Sequence, residues 1–333
     1  MKRKLVLICL IISVLFGFAA CGIQQPTVLT INGDNVSLSE FNYYFSTAKL
    51  QAESAIPADQ IDMYWETEKD GKTMFELLKD SAYEEMVALR VAANKAEAMG
   101  IKYTDNDVMQ ATNGFKNQII QTASSEKEYY EMTNTDSDTI TEIAKLYAIR
   151  SAMLSRFIED GTLNISDDVL KATFNEKWMK AQHILVSLVN NETGEQLTDE
   201  QKAEKKALAE SLLERVKKGE DFTALMNEYS DDPGKEYEPE GYIFTSGEMV
   251  TEFEDAVKAL GANEVSGIVE SSYGYHIIKR LPLSAEADAE KFEENKEYVE
   301  TEIIIAFLDE NVPLWKEEME IIEYREPIAN IKK

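Results

Sequence analysis

The chain has 333 residues, 44% of them hydrophobic, and sets 62 acidic side chains against 34 basic ones for a net charge of −28. A surface this acidic repels nucleic acid and anionic lipid headgroups, which excludes nucleic-acid binding and favours solubility beside other polypeptides. No zinc-type Cys/His spacing, EF-hand spacing or phosphate-binding loop occurs, so neither a metal nor another cofactor is expected.

Met1-Lys-Arg-Lys4 and the apolar run Leu5 to Phe16 read as a signal peptide over residues 1–20, too short to span a bilayer comfortably. The small residues before Cys21 resemble the lipobox of bacterial lipoproteins. That resemblance implies an acylated Cys21, with residues 21–27 as lipidated N-terminus and linker. An ordinary secretory signal with an incidental cysteine is the alternative. Cys9 would leave with the signal, so the exported chain has no disulfide.

Residues 28–177 read as a mostly helical region. Val28 to Gly33 looks like a short strand running into a turn, and Ser37 and Glu40 have capping-box spacing before a stripe of Phe41, Tyr44, Phe45 and Ala48. A long helix is expected from Met74 to Met99, with Leu77, Leu78, Met86, Leu89, Ala93 and Ala96 inward and Gly100 at its end. Another starts near Thr104 and carries Val108, Ala111, Phe115 and Ile119. A third runs from Ser137 to Ile158 and stops at Gly161, and a short piece spans Ser166 to Phe174. Helices with aromatic faces suit a bundle that leaves an apolar patch exposed; a plain spacer is the other reading.

Residues 178–283 read as a separate unit of order β-α-α-β-α-β-β. Thr198 and Gln201 form a capping-box spacing ahead of Leu208, Leu212 and Val216, and Asp221 can cap a helix from Phe222 to Tyr229. A turn-rich loop Ser230 to Gly234 follows, then a stripe of Phe253, Ala256, Val257 and Leu260. Strands are expected at Glu264 to Val269 and around His276. The chain's two histidines, His183 and His276, each precede branched apolar residues that favour strands. Alternation places His183 on one face with Leu185, and His276 on one face with Ile278. If the two strands pair, the imidazoles meet; otherwise they are unrelated.

Five segments in this order resemble the parvulin family of peptidyl-prolyl isomerases. They are Ala-x-His-Ile-Leu-Val from Ala181, Tyr229-Ser-Asp-Asp232, Phe-x-x-Gly-Glu-Met-Val-x-x-Phe-Glu-Asp-Ala from Phe244, Glu-Val-Ser-Gly-x-Val from Glu264, and Tyr-Gly-Tyr-His-Ile-Ile-Lys from Tyr273. The resemblance implies that His183, Asp232 and His276 are the catalytic polar groups and that Phe244, Met249 and Phe253 line a proline pocket. Parvulins usually carry Gly-Gly-Asp-Leu-Gly before the aromatic, whereas this chain has Glu238-Pro-Glu-Gly-Tyr242. The residue types suit the reaction: an X–Pro amide resists rotation by ~18–20 kcal/mol, and an apolar socket over a polar floor can favour the twisted amide without a nucleophile. For the histidines, bracing the fold is an equal alternative. The segment Ser187 to Asp199 is acidic, which argues against phosphate-directed specificity.

After Pro282, an acidic helix is expected from about Ala285 to Glu310, with Phe292, Val299, Ile303, Ala306 and Phe307 in register and Pro313 after its stop. Its apolar stripe implies that residues 284–333 return to the N-terminal region. The expected fold is therefore α+β, a parvulin domain with a four-stranded antiparallel sheet inserted into a mostly helical chaperone domain. That arrangement resembles the PrsA-like foldase lipoproteins and the SurA-type chaperones. It implies a foldase on the extracytoplasmic face of a bacterial membrane of the Gram-positive kind, anchored through lipid and acting on newly exported, unfolded polypeptides that contain X–Pro. The competing readings are a non-catalytic holdase and a structural lipoprotein. The oligomeric state stays open, a dimer through the long helices being one option.

Overall fold

The computed structural model describes residues 25–189, 195 and 197–333; the expected signal segment, Cys21 and part of the acidic segment after Ser187 lie outside them. The described chain divides into two units. The first runs to Met153 and resumes at Val312–Lys333, and the second is Leu154–Asn311. The second unit is therefore an insertion in the first.

In the first unit, β1 (Thr27–Ile31) and β2 (Asp34–Ser37) form a hairpin across the Asn32-Gly33 turn, where both residues have positive φ, as a two-residue hairpin turn demands. Ser37 then caps α1 (Leu38–Ser54) by accepting from the Glu40 amide. The spacing promised a reciprocal capping box, but only this half forms. The Glu40 carboxylate instead meets the Arg90 guanidinium through both oxygens, at 2.8 and 2.5 Å. A buried charge-assisted fork is worth more than a cap to an exposed amide. Two short pieces follow, α2 (Ile61–Glu66) and the hairpin of β3 (Glu68–Lys69) with β4 (Lys72–Thr73).

Complete capping boxes open the next two helices, Thr73 with Glu76 on α3 (Met74–Ala98) and Thr104 with Asp107 on α4 (Asp105–Thr122). After α5 (Glu126–Thr133) comes α6 (Ser137–Glu159), within which the chain passes into the second unit. On α3, Leu77 and Leu78 are only half-buried, whereas Tyr83, Met86, Val91 and Ala96 are fully covered.

The second unit continues with α7 (Asp167–Lys177) and the nine-residue β5 (Met179–Ser187). Next are α8 (Asp199–Lys217), opened by the Thr198–Gln201 box, α9 (Phe222–Tyr229), capped by Asp221, and a 3-10 turn at Pro233–Glu236. The remaining elements are β6 (Tyr242–Phe244), α10 (Thr251–Ala259), β7 (Val265–Glu270), β8 (Gly274–Leu281) and α11 (Ala289–Lys316). The strands form one antiparallel sheet in the order β6-β5-β8-β7.

Alternation gives the sheet two different faces. On one, Ile184, Val186 and Ile277 pack against Leu212 of α8 and Phe222, Leu225 and Met226 of α9. On the other, Met179, Ala181, Ile278 and Phe244 pack against Phe253 and Val257 of α10.

Helix α11 departs from expectation in two ways. It does not stop before Pro313 but carries it inside and ends at Lys316. Proline forfeits one i→i−4 hydrogen bond and crowds the preceding turn, which a long helix with packed sides tolerates at its last turn. Its Phe292 and Val299 also pack on Leu170, Phe174 and Trp178, a core within the second unit. The part of the C-terminal segment that belongs to the first unit begins at Val312. There β9 (Ile321–Glu323) pairs antiparallel with β1, and α12 (Glu326–Ala329) follows with Ile328 buried.

Candidate active site

The register of β5 on β8 sets His183 opposite Ile278 and Leu185 opposite His276. The histidines are thus diagonal neighbours on one face, close enough for side chains to touch. Their rings stack at 5.3 Å and 13°, with Nδ1 to Nδ1 at 3.1 Å.

The third group arrives by a different route. Strand β6 covers β5 only as far as Ala181. Beyond it, the segment after α9 takes over the same edge. Asp231 N–H donates to the Leu185 carbonyl, Ser187 N–H to the Asp231 carboxylate, and Leu185 N–H to Ser230 Oγ. The next residue, Asp232, is thereby held beside His183, its Oδ2 2.7 Å from His183 Nε2. The same oxygen accepts from Tyr242 Oη at 2.7 Å, and Oδ1 accepts from the Gly234 amide at 3.0 Å. At the far end, Ser271 Oγ lies 2.7 Å from His276 Nε2 and accepts from the Tyr273 amide.

Charge on this chain of groups follows from its surroundings. Burial pushes the Asp232 carboxyl upward, but the hydrogen bonds from His183, Tyr242 and Gly234 outweigh it and hold it well below the usual carboxylate range. Burial first, and the neighbouring His183 second, lower His276 to about 4. Burial and then Asp232 raise the Tyr242 phenol, so it stays a donor. At neutral pH an anion sits at one end and a neutral imidazole near the other. With both imidazoles neutral, one direction connects the whole set: Ser271 O–H donates to His276 Nε2, His276 Nδ1–H to His183 Nδ1, and His183 Nε2–H to Asp232.

Above this floor lies a cavity of about 300 Å³, bordered by His183, Asp232, His276, Leu185, Met249 and Phe253, with Glu248 and Tyr273 also at its edge. Phe253 stands edge-on to both imidazoles, at 5.2 and 5.7 Å. Of the residues singled out in the sequence, His183, Asp232, His276, Met249 and Phe253 all border this cavity. Phe244 does not. Paired opposite Met179, it is 1% exposed and lies 5.9 Å from the Phe253 ring, in the core with Met179 and Val257. Cys21 lies outside the described residues.

Two members of the polar chain, Tyr242 and Ser271, had not been singled out. Tyr242 sits in the segment that breaks the parvulin pattern, where it read as a departure and not as a donor. Its place depends on Gly241, whose φ is +101° and where a Cβ would stand 2.9 Å from the Ala181 carbonyl. The Ser-Ser-Tyr-Gly turn before His276 was the available signal for Ser271.

Residues 165–281 match the PPIC-type PPIase domain, and residues 1–133 match the SurA-like N-terminal domain. The chain is 29% identical over 290 residues to the foldase protein PrsA of Caldanaerobacter subterraneus subsp. tengcongensis, covering 84% of this chain and 82% of that one. It is also 29% identical over 304 residues to foldase protein PrsA 4 of Bacillus cereus, covering 91% and 85%. Among solved structures, the solution structure of TbPIN1 is 33% identical, covers 32% of this chain and 97% of its own, and superposes with a TM-score of 0.28. The chain thus matches a PPIC-type PPIase domain in its inserted unit and a SurA-like N-terminal domain ahead of it, and the proteins it resembles over most of their length are PrsA foldases.

Proposed function

We propose that the X–Pro bond is turned in the cavity over His183, Asp232 and His276, and that the clients are unfolded exported polypeptides. One observation carries this reading: a fully connected polar chain, Tyr242 to Asp232 to His183 to His276 to Ser271, forms the floor of an otherwise largely apolar cavity. The planar amide is the polar, charge-separated form. Met249, Phe253 and Leu185 replace the water that favours it, and the Asp232 carboxylate opposes negative charge on its carbonyl oxygen. Both effects favour the twisted amide, in which conjugation and charge separation are lost.

Asp232→Ala is expected to lower kcat/KM on a short Ala-Pro peptide by about 10–100-fold, in a variant that still melts cooperatively. Unchanged turnover in a folded variant overturns the assignment. In this reading residues 28–177 with 284–333 hold the client while residues 178–283 turn the bond, and Cys21 carries the lipid that keeps the protein at the extracytoplasmic membrane face. The unusual Glu238–Tyr242 segment favours the second reading, a holdase whose cavity binds proline without turnover. Wild-type activity in a protease-coupled peptide assay decides between them.

A further inference from the structure

We propose that Tyr242 is a positioning residue for Asp232, and that the absence of a side chain at Gly234 is what admits its hydroxyl. This rests on the reading of Asp232 as part of the isomerase site. The carboxylate is fixed from two elements at once. The 3-10 turn supplies the Gly234 amide to Oδ1, and β6 supplies the Tyr242 hydroxyl to Oδ2, the oxygen that His183 also uses. Pairing of Tyr242 with Ala181 anchors the phenol's backbone, and its ring stands edge-on to His183 at 5.7 Å.

The hydroxyl occupies the space above Gly234. A Cβ built there would lie 1.7 Å from Tyr242 Oη and 2.8 Å from its ring carbon Cζ. Gly234 is not among the residues with positive φ, so space and not backbone conformation requires glycine here. Any larger residue at 234 evicts the phenol from the carboxylate.

The contact holds the carboxylate plane in line with His183 and opposes its protonation. The other charged groups nearby are otherwise engaged or lie further off. His276 on β8 acts through His183, Asp231 is paired with Lys205 of α8, and Lys235 donates to the carbonyls of Ser230 and Asn227. Glu238 is paired with Lys291 of α11, and Glu248, at the edge of the cavity, accepts from the Thr245 amide. Among the described residues, His183 is the one titratable nitrogen hydrogen-bonded to the Asp232 carboxylate. Loss of the phenol therefore raises the proton affinity of the Asp232–His183 pair, whichever member takes the proton.

The test is the pH profile of kcat/KM on an Ala-Pro peptide, from about pH 4 to about pH 9, for the full chain and its Tyr242→Phe, Gly234→Ala, doubly substituted and Asp232→Ala variants. In Tyr242→Phe the acid limb is expected to move up by about one pH unit, a loss of about tenfold on that limb that disappears at alkaline pH. Gly234→Ala is expected to reproduce the shift, and the double variant to shift no further than either single one. Superimposed wild-type and Tyr242→Phe profiles, a loss equal at every pH, or additive shifts overturn the proposal. If Gly234→Ala fails to melt cooperatively, Tyr242→Phe alone decides. An Asp232→Ala variant with wild-type turnover removes the underlying reading of the site, whereas a crippled Asp232→Ala beside an unaltered Tyr242→Phe removes only the role of the phenol.

Discussion

Each unit of this molecule buries a small polar assembly, Glu40 with Arg90 in the first and His183, His276 and Asp232 in the second, and burial alone does not tell them apart. The side chains of Glu40 and Arg90 are 4% and 16% exposed, those of His183 and Asp232 10% and 16%. The difference lies in how each set is closed. In the first, the two carboxylate oxygens meet two guanidinium nitrogens and the charges cancel. In the second, an anion shares a chain with a neutral imidazole, and the set borders an open cavity of about 300 Å³. A balanced, sealed pair braces a fold; an unbalanced, open one is available to a substrate.

The largest effect expected from this contrast is on stability in the first unit. Arg90→Ala leaves the Glu40 carboxylate buried without its partner and should destabilise that unit by about 3–5 kcal/mol, read from denaturant unfolding. Replacing both residues with Leu and Met should cost far less, because no orphaned charge remains. A small loss in the single variant would erase the distinction drawn above.

Titration should separate the two assemblies next. His276 is buried and its value is lowered to about 4, so between its ordinary 6.5 and that value the unfolded chain binds a proton that the native state does not. Stability of the second unit is then intact above about pH 6.5 and falls as the pH drops toward 4, by at most about 3 kcal/mol. A His276→Gln variant should flatten that slope in melts recorded over the same range. A slope unchanged by the substitution would place the titration elsewhere.

The smallest effect concerns the end of the polar chain. Ser271→Ala removes the partner of His276 Nε2 and should cost about 1–2 kcal/mol, with a modest fall in kcat/KM on the Ala-Pro peptide. A neutral result would mean that water replaces the hydroxyl and that the chain effectively ends at His276.

Much of the helical architecture was legible because its signals are short-range. Thr73, Thr104 and Thr198 open helices through complete capping boxes, and the stripe around Phe253 and Val257 turns inward as its spacing requires. Several of the elements that escaped notice are too short for any period to show. Strands β3 and β4 have two residues each, and Ile321-Ile-Glu323 becomes β9 only because the β1 edge is there to receive it. Pro313 misled for the opposite reason. A local rule was read as a stop, while packing along α11 carries the helix past it.

The sequence by itself determined which segments coil or extend, which faces are apolar, and which side chains have the chemistry for a site, because each of those depends on neighbours within a turn or two. Only the tertiary structure decided which donor meets which acceptor. It took Glu40 from its own helix cap to Arg90, fifty residues on, placed Tyr242 rather than Phe244 at the cavity, and left Phe244 in the core. Strand register and the course of a loop along an exposed strand edge set those partnerships, and no periodicity along the chain encodes either.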